Sequence, residues 1–179
     1  MIMGIDEVGR GSLAGPLVVG AVSLNTTIDG VADSKQLTKN KRSQLAATIY
    51  MQASFVTLGW VWPHEIDAQG LTAATTSAIQ RALQGLTPGK DTIIIDGNYN
   101  YLPGIANVQT IIGADKIIPS VSAASIVAKV ARDSYMHSMA KYYPAYGFAD
   151  NVGYGTKAHI EQLNINGSSA IHRLSFKRT

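Results

Sequence analysis

Five runs of apolar, largely β-branched residues alternate with polar turns and predict the strands of a sheet. They lie at residues 1–5, 17–24 ("LVVGAVSL"), 55–62 ("FVTLGWVW"), 91–96 ("DTIIID") and 107–112 ("NVQTII"). The third run has the period-two alternation of a strand, whereas the fourth is continuously apolar, which is typical of a central strand. The short turn between the first two runs predicts an antiparallel hairpin.

Apolar residues at helical spacing predict the helices between these runs. One helix carries Leu45, Ile49 and Ala53 on a single face. The predicted helices cover residues 38–53, 63–86 with an interruption at Gly70, 119–142 and 156–164. The resulting order, β-β-α-β-α-β-β-α-α, predicts an α/β fold in which helices flank a mixed central sheet.

Acidic residues come at the ends of three of the apolar runs. Asp6 and Glu7 follow the first run, Asp96 ends the fourth, and Asp115 in "IIGADK" follows the fifth. Because catalytic groups gather where strand ends converge, we expect these four carboxylates to share one small volume. The alternative for each acid, taken alone, is a solvated turn residue.

A cluster of four carboxylates needs cations, since like charges repel strongly when they are brought together. Oxygen-only ligation favours Mg²⁺ or Mn²⁺ over zinc. Two such ions about 3.5–4 Å apart are the usual apparatus for in-line cleavage of a phosphodiester. The acids therefore predict a two-ion site for phosphodiester hydrolysis.

The long helix at 119–142 carries further candidates. Ser122, Ser125 and Lys129 share one face, which can support the acids or contact a phosphate; packing is the alternative. Asp133 lies one turn beyond Lys129, so we predict an ion pair between these two residues instead of a role as metal ligand.

The histidines do not suit a metal site. None of the four histidines forms a pair at the spacing of zinc ligands on a helix. We interpret His172 and Arg173 as contacts made by the basic C-terminal tail.

Composition narrows the class of protein. The 179 residues fit a single domain (1–179) with a short helical and basic tail (about 156–179), and 46% hydrophobic residues can fill a core. The absence of cysteine excludes disulfides and thiolate chemistry. A net charge of +3 favours a polyanionic partner. With no signal peptide or membrane span in the pattern, we expect a cytoplasmic monomer that does not bind membranes.

Several motifs together resemble bacterial ribonuclease HII, the type 2 ribonuclease H. They occur in order over nearly the whole chain, from Gly4 to Phe176: "GIDEVGRGSLAGPLV", "DSKQLT", "IIIDGN", "SAASIVAKVARD", "GYGTKAH" and "HRLSF". The resemblance implies a ribonuclease H-like fold with a five-stranded central sheet. It also implies hydrolysis of the RNA strand of RNA–DNA hybrids and cleavage 5′ to single ribonucleotides embedded in duplex DNA, leaving 3′-hydroxyl and 5′-phosphate ends.

The resemblance also implies roles for individual residues. The family's four acidic metal ligands, for Mg²⁺ or Mn²⁺, fall on Asp6, Glu7, Asp96 and Asp115, and its sugar-contacting tyrosine falls on Tyr154. Its ribose-reading turn falls on Gly9, Arg10 and Gly11. A glycine turn that exposes backbone groups suits detection of a 2′-hydroxyl, although a hairpin turn that needs positive φ has the same sequence.

Other positions are less certain substrate contacts. Lys35 lies in a polar loop and is a candidate phosphate contact or a solvated lysine. The segment before Tyr154 has Asn151 and Val152 where relatives carry a basic pair resembling His-Lys, so we expect weaker phosphate contact there. The chain stops three residues after Phe176, where many relatives continue, and we expect reduced grip on a duplex.

Two other classes of protein fit part of the pattern. "GRGSLAG" after a strand resembles a dinucleotide-binding turn, but its glycine spacing is one residue too long and adjacent acids would repel a pyrophosphate. A non-catalytic protein that binds hybrids would need no acidic cluster. We reject both, and metal-dependent cleavage of a hybrid would separate them from the enzyme.

Overall fold

A five-stranded mixed sheet organises the computed structural model, which describes residues 1–31, 37–86 and 91–177. The strands are β1 (Ile2–Val8), β2 (Leu17–Ser23), β3 (Phe55–Val61), β4 (Thr92–Asp96) and β5 (Val108–Ile111). Their spatial order is β3-β2-β1-β4-β5. The pairs β1–β2 and β2–β3 are antiparallel, and β1–β4 and β4–β5 are parallel. The predicted mixed sheet and N-terminal hairpin are confirmed.

Helices cover both faces of this sheet. They are α1 (Lys39–Gln52), α2 (Pro63–Gln69), α3 (Leu71–Ala82), α4 (Pro119–Met139), α5 (Phe148–Asn151) and α6 (Lys157–Asn166), with 3₁₀ turns at Ala114–Lys116 and Pro144–Tyr146. The predicted break at Gly70 is confirmed, because Gly70 separates α2 from α3 with a φ of 79°. Within the described ranges, no helix combines the length and apolar character that a membrane span requires.

Alternation along the strands divides the core into two main layers. Met3 and Ile5 of β1 pack in a cluster with Ala78 and Ile79 of α3. On the other face, Val22 of β2 packs in a cluster with residues of α1 and α4. Since neighbouring residues of a strand point to opposite faces, each strand contributes to both layers.

Glycines let α4 lie unusually close to the sheet. A Cβ atom at Gly4 of β1 would lie 2.2 Å from the backbone of Ser120, and one at Gly20 of β2 would lie 2.3 Å from the carbonyl oxygen of Ala124. Real side chains cannot occupy such space without moving the helix. These two glycines therefore bring α4 against the strand that carries Asp6.

Both tryptophans of the chain lie at the other end of this contact between sheet and helix. The rings of Trp60 and Trp62 are stacked with centroids 5.9 Å apart. The ring of Tyr135 on α4 lies 5.4 Å from that of Trp62. This aromatic cluster joins edge strand β3 to the C-terminal half of α4.

Some predicted boundaries were wrong. β1 extends three residues beyond the predicted end at Ile5, because residues 6–8 pair with β2 despite their polar character. The helix after Gly70 ends at Ala82 instead of residue 86, and α4 ends at Met139 instead of residue 142. The short α5 was not predicted, since four residues carry no periodic signal.

We predict that Gly20→Ala destabilises the fold by about 1–3 kcal/mol, because the added methyl group overpacks the contact between β2 and α4. Gly104→Ala is the matched control, since a Cβ atom there meets nothing within 4 Å. Denaturant unfolding of the two variants and the parent chain measures the difference. Equal stability of Gly20→Ala and Gly104→Ala would contradict this account of the helix position.

Candidate active site

Asp6 and Glu7 lie inside β1 and not at its end, which corrects the prediction. They are paired with Gly20 and Val19 of β2. As consecutive residues of a strand they point to opposite faces of the sheet. The register places Asp6 on the face covered by α4 and Glu7 on the face covered by α3.

Asp6 is a buried carboxylate, and its neighbours shift its pKa in both directions. Its relative exposure is 7%, and its Oδ1 accepts a hydrogen bond from the backbone N–H of Glu7 at 2.8 Å. Burial raises the pKa of Asp6 to about 7; the Ser125 side-chain hydrogen bond opposes this rise, and the charges of Glu7 and Asp96 add to it. A carboxyl group with this pKa is a candidate functional group.

Glu7 and Asp96 meet at the end of the sheet. Burial raises the pKa of Glu7, the nearby Arg10 lowers it, and the negative charge of Asp96 raises it further. Arg10 Nη1 lies 3.7 Å from Glu7 Oε1. The parallel register pairs Ile5 with Ile95, so Asp6 and Asp96 occupy adjacent positions on β1 and β4. The structure thus brings Asp6, Glu7 and Asp96 into electrostatic contact.

Asp115 lies in the 3₁₀ turn after β5 and does not end the strand, which is a second correction. It is buried, with a relative exposure of 4%. Asp96 Oδ1 accepts a hydrogen bond of 2.7 Å from the N–H of Ala114, and Ser122 Oγ donates to the carbonyl oxygen of Asp115. These bonds tie the turn that carries Asp115 to Asp96 on one side and to α4 on the other.

The carboxylate oxygens of these acids are suitable ligands for a divalent cation. In the part of the chain that the structure describes, no three acidic or histidine side chains converge into a formed metal-binding group. The negative charges of Glu7 and Asp96 raise the pKa of Asp6, and a bound cation would offset this repulsion. Carboxylate oxygens are the ligands that Mg²⁺ and Mn²⁺ prefer, and burial strengthens their need for a cationic partner.

The polar face of α4 serves two different purposes. Ser122 and Ser125 support the acids through the bonds to Asp115 and Asp6. Lys129 Nζ lies 3.0 Å from Asp133 Oδ1, which confirms the predicted ion pair. The carboxylate of Asp133 is therefore paired with a lysine one turn away on the same helix.

A glycine-rich loop (residues 9–16) connects β1 to β2 beside Glu7. Gly9 has a φ of 85°, and a Cβ atom there would lie 2.1 Å from Nε of Arg132. Both the backbone conformation and the close packing therefore require glycine at this position. A Cβ atom at Gly11 would meet nothing within 4 Å. Arg10 donates to the hydroxyl of Tyr101, at the edge of a cleft that Glu7 and Asp96 also line.

Arg132 of α4 holds this loop in place through hydrogen bonds. It is fully buried, and its guanidinium donates to the carbonyl oxygens of Pro16 (2.9 Å) and Ala14 (3.1 Å) and to Ser12 Oγ (2.7 Å). A further hydrogen bond of 2.9 Å reaches the carbonyl oxygen of Val152. One side chain therefore joins the glycine-rich loop to the segment before Tyr154.

Tyr154 is half-buried, with its ring against cations of α4. The Arg132 guanidinium lies 5.3 Å and the Lys129 ammonium 5.8 Å from the ring centroid. The preceding Asn151 and Val152 have internal partners: Asn151 Nδ2 donates to the carbonyl oxygen of Tyr146, and the Val152 carbonyl accepts from Arg132. Asn151 and Val152 therefore shape the loop that presents Tyr154.

Two polar residues of the C-terminal tail are buried. His172 and Arg173 are each only 3% exposed. Arg173 donates to the carbonyl oxygens of Gly15 (2.9 Å) and Arg10 (3.0 Å). His172 forms a β-bridge with Ala14. His172 and Arg173 thus attach the C-terminal tail to the glycine-rich loop, which Arg132 also contacts.

Lys35, the remaining predicted substrate contact, lies outside the described residues. Arg132 is the main site residue that the sequence pattern did not single out. It lies in the motif "SAASIVAKVARD", as does Ser125, which was a candidate for supporting the acids. The signal for Arg132 was an arginine among small apolar residues of a long helix.

A family model, curated proteins and solved structures each match nearly the whole chain. The family model for ribonuclease HII matches residues 3–179. Ribonuclease HII of Shewanella loihica is 45% identical over 178 residues, which cover 97% of this chain and 86% of that protein. The structure of ribonuclease H2 from Pyrococcus horikoshii is similar with a TM-score of 0.84 and 28% identity, covering 99% of this chain and 94% of that one. The structure of the PCNA:RNase HII complex from Archaeoglobus fulgidus contains a chain with a TM-score of 0.82 and 25% identity, over 97% and 92% of the two chains.

We predict that Asp6→Asn raises the thermal stability of the metal-free protein, and more at pH 8 than at pH 5. The folded-state pKa of Asp6 lies above its ordinary value of 3.8, so the native state loses stability as the pH rises from 3.8 towards about 7. The amide removes this loss. Thermal unfolding in EDTA at both pH values measures it.

The control for this prediction is Asp133→Asn, which removes a carboxylate that has a lysine partner. We expect no stability gain from that variant at either pH. A melting temperature of Asp6→Asn that is below the parent value at pH 8 would contradict the account of Asp6.

Proposed function

The chain belongs to the ribonuclease HII family and is an endonuclease that hydrolyses the RNA strand of RNA–DNA hybrids, and from this premise we propose that it also cleaves 5′ to single ribonucleotides embedded in duplex DNA. The proposed products carry 3′-hydroxyl and 5′-phosphate ends. The observation that carries the proposal is the arrangement around Arg132, which holds the glycine-rich loop and the segment before Tyr154 on one side chain. A ribose detector and a sugar-contacting ring are thereby kept in fixed relation.

We propose that Asp6, Glu7, Asp96 and Asp115 hold the metal ions of this reaction. The burial of Asp6 and Asp115 and the raised pKa values of Asp6 and Glu7 support this role. Two bound Mg²⁺ or Mn²⁺ ions would supply Lewis-acid activation and charge stabilisation for displacement at phosphorus. Ser125 and the N–H of Glu7 orient the Asp6 carboxylate, and the N–H of Ala114 orients that of Asp96.

The turn Gly9, Arg10 and Gly11 is the proposed detector of the 2′-hydroxyl. The open space at Gly11 lets a sugar approach the main chain closely. Backbone N–H and C=O groups can satisfy both the donor and the acceptor of a 2′-hydroxyl, which distinguishes RNA from DNA. Arg10, which contacts Glu7 and Tyr101, adds positive charge beside the cleft.

Tyr154 is the proposed source of preference for a ribonucleotide–deoxyribonucleotide junction. A ring packed on the sugar that follows the scissile phosphate favours deoxyribose, because an added 2′-hydroxyl would crowd it. The nearby cations Lys129 and Arg132 favour a fixed position of the ring, which is half-exposed and available to a sugar. All the contacts invoked here come from one copy of the chain, so we propose that it acts on nucleic acid as a monomer.

Removing the acids tests the proposed metal site. We predict that Asp6→Asn, Asp96→Asn and Asp115→Asn each lower cleavage of an RNA–DNA hybrid by at least about a thousandfold, equivalent to about 4 kcal/mol of transition-state stabilisation. Asp133→Asn is the matched control and should retain most activity, because its carboxylate pairs with Lys129. Rates over a range of Mn²⁺ and Mg²⁺ concentrations measure the effect. A larger loss in Asp133→Asn than in Asp115→Asn would reverse the assignment.

Tyr154 variants test the proposed junction preference. Tyr154→Ala should lose much of the cleavage of a duplex with one ribonucleotide and proportionally less on a uniform hybrid. Tyr154→Phe should fall between, because the ring remains while a hydroxyl hydrogen bond worth about 0.5–1.5 kcal/mol is lost. Rates on the two substrates under identical conditions give the comparison. If Tyr154→Ala slowed both substrates by the same factor, Tyr154 would be a general scaffold residue.

A further inference from the structure

Two tyrosines in the segment after β4 differ sharply in their burial. Tyr101 is 6% exposed and belongs to the core cluster between the sheet and α3, whereas Tyr99 is 53% exposed. Their ring centroids are 4.7 Å apart, and the ring planes are tilted by 56°. Tyr99 is therefore a large aromatic residue that rests on a buried ring and still exposes about half of its surface to solvent.

The exposed tyrosine lines the cleft beside the acidic residues. This cleft has a volume of about 330 Å³, and Glu7, Arg10, Asp96 and Tyr101 line it together with Tyr99. Tyr99 lies three residues beyond Asp96 in the chain. An aromatic surface and two of the carboxylates proposed to hold metal thus border the same space.

Hydrogen bonds anchor the segment that carries Tyr99 on both sides. The N–H of Gly97 donates to the carbonyl oxygen of Ile111 at 3.0 Å, and Asn100 Oδ1 accepts from the N–H of Leu102 at 2.8 Å. Leu102 itself is buried in the core. A ring on a segment held in this way needs little further ordering when it contacts a ligand.

Arg10 connects this segment to the glycine-rich turn. Its guanidinium donates to the hydroxyl of Tyr101 and lies 3.7 Å from Glu7 Oε1. The turn proposed to read a ribose is therefore joined, through Tyr101, to the ring of Tyr99.

We propose that Tyr99 is a further substrate-contacting residue, whose ring packs on a sugar of the cleaved strand. This inference rests on the placement of the metal ions at Glu7 and Asp96 that is proposed above. The scissile phosphate has to lie at those ions, so a neighbouring nucleotide of the same strand lies in the cleft that Tyr99 lines.

The duplex form of the substrate decides which part of the nucleotide meets the ring. Stacking covers the faces of paired bases, whereas the wide minor groove of an A-form helix displays the sugars. The C–H groups of a sugar are the same whatever base it carries, so this contact does not read base sequence. They are also shared by ribose and deoxyribose. Tyr99 should therefore raise the affinity for a uniform hybrid and for a single-ribonucleotide duplex by similar factors, in contrast to Tyr154.

The charges of the cleft favour an uncharged contact at this place. The carboxylates of Glu7 and Asp96 repel a phosphate until cations are bound, and the guanidinium of Arg10 already lies near Glu7. A contact between a ring and a sugar releases no counterions, whereas each phosphate held by a lysine or arginine makes binding more dependent on salt. Salt dependence thus separates the proposed role of Tyr99 from an effect on charged contacts.

The first test measures binding without cleavage. Fluorescence anisotropy of a labelled RNA–DNA hybrid in EDTA, at several salt concentrations, gives the Kd and its salt dependence. Tyr99→Ala should weaken binding about five- to thirtyfold, the lower part of the range for loss of an aromatic contact with nucleic acid, and keep the salt dependence of the parent chain. A changed salt dependence would show that charged contacts were lost instead and would overturn the proposal.

Three further variants show whether the ring itself is needed. Tyr99→Phe keeps the ring and should bind like the parent chain, whereas Tyr99→Leu keeps an apolar side chain without the ring and should bind nearly as weakly as Tyr99→Ala. Tyr50→Ala is the matched control, because Tyr50 on α1 is 52% exposed and should contribute nothing to binding. Parental binding by Tyr99→Ala or Tyr99→Leu, or an equal loss in Tyr99→Phe, would overturn the proposal.

The second test measures cleavage. Tyr99→Ala should raise KM by about the same factor on a uniform hybrid and on a single-ribonucleotide duplex, with little change in kcat, because the contact is the same in the bound substrate and in the transition state. An unchanged KM on both substrates, or a loss confined to one of them, would contradict the assignment.

The two proposals fail in different ways. Full activity of Asp96→Asn would show that the metal ions are misplaced, whatever Tyr99 contributes to binding in EDTA. If Asp96→Asn is inactive and Tyr99→Ala binds the hybrid like the parent chain, only the role of Tyr99 is wrong.

Discussion

The arrangement of the site depends on one buried cation, the Arg132 guanidinium. Removing a charged group from water costs several kcal/mol unless hydrogen bonds replace its hydration. Arg132 meets this requirement with carbonyl and hydroxyl oxygens from two separate segments, the glycine-rich loop and the residues before Tyr154. Moving either segment would leave donors of a buried charge unsatisfied. The two parts proposed to recognise a sugar are therefore coupled through electrostatics instead of through a shared secondary-structure element.

The acidic residues show the opposite balance. Asp6 is buried beside like charges, so it destabilises the metal-free fold in its ionised form. The fold tolerates this because α4, held close by Gly4 and Gly20, places Ser125 against the carboxylate. A helix packed on glycines thus positions a group that would otherwise be expelled. Stability is sacrificed locally at the residues proposed to bind metal, as is common at functional sites.

The sequence was sufficient for the sheet, its hairpin and the main helices, because periodicity and turn residues carry that information locally. It was insufficient for the direction of side chains. The end of β1 was placed before Asp6 because polar residues end an apolar run, and only pairing with β2 extends the strand. The burial of Arg132 and the hydrogen bond of Arg10 to Tyr101 depend on contacts between distant segments, which no local pattern encodes.

The aromatic cluster of Trp60, Trp62 and Tyr135 has a practical consequence for spectroscopy. Because both tryptophans of the chain stack on one another, the tryptophan fluorescence of the protein originates from a single location. That location lies against α4, the helix that also carries Ser125 and Arg132. The emission spectrum therefore serves as a built-in optical reporter of how this helix sits on the sheet, without an attached dye.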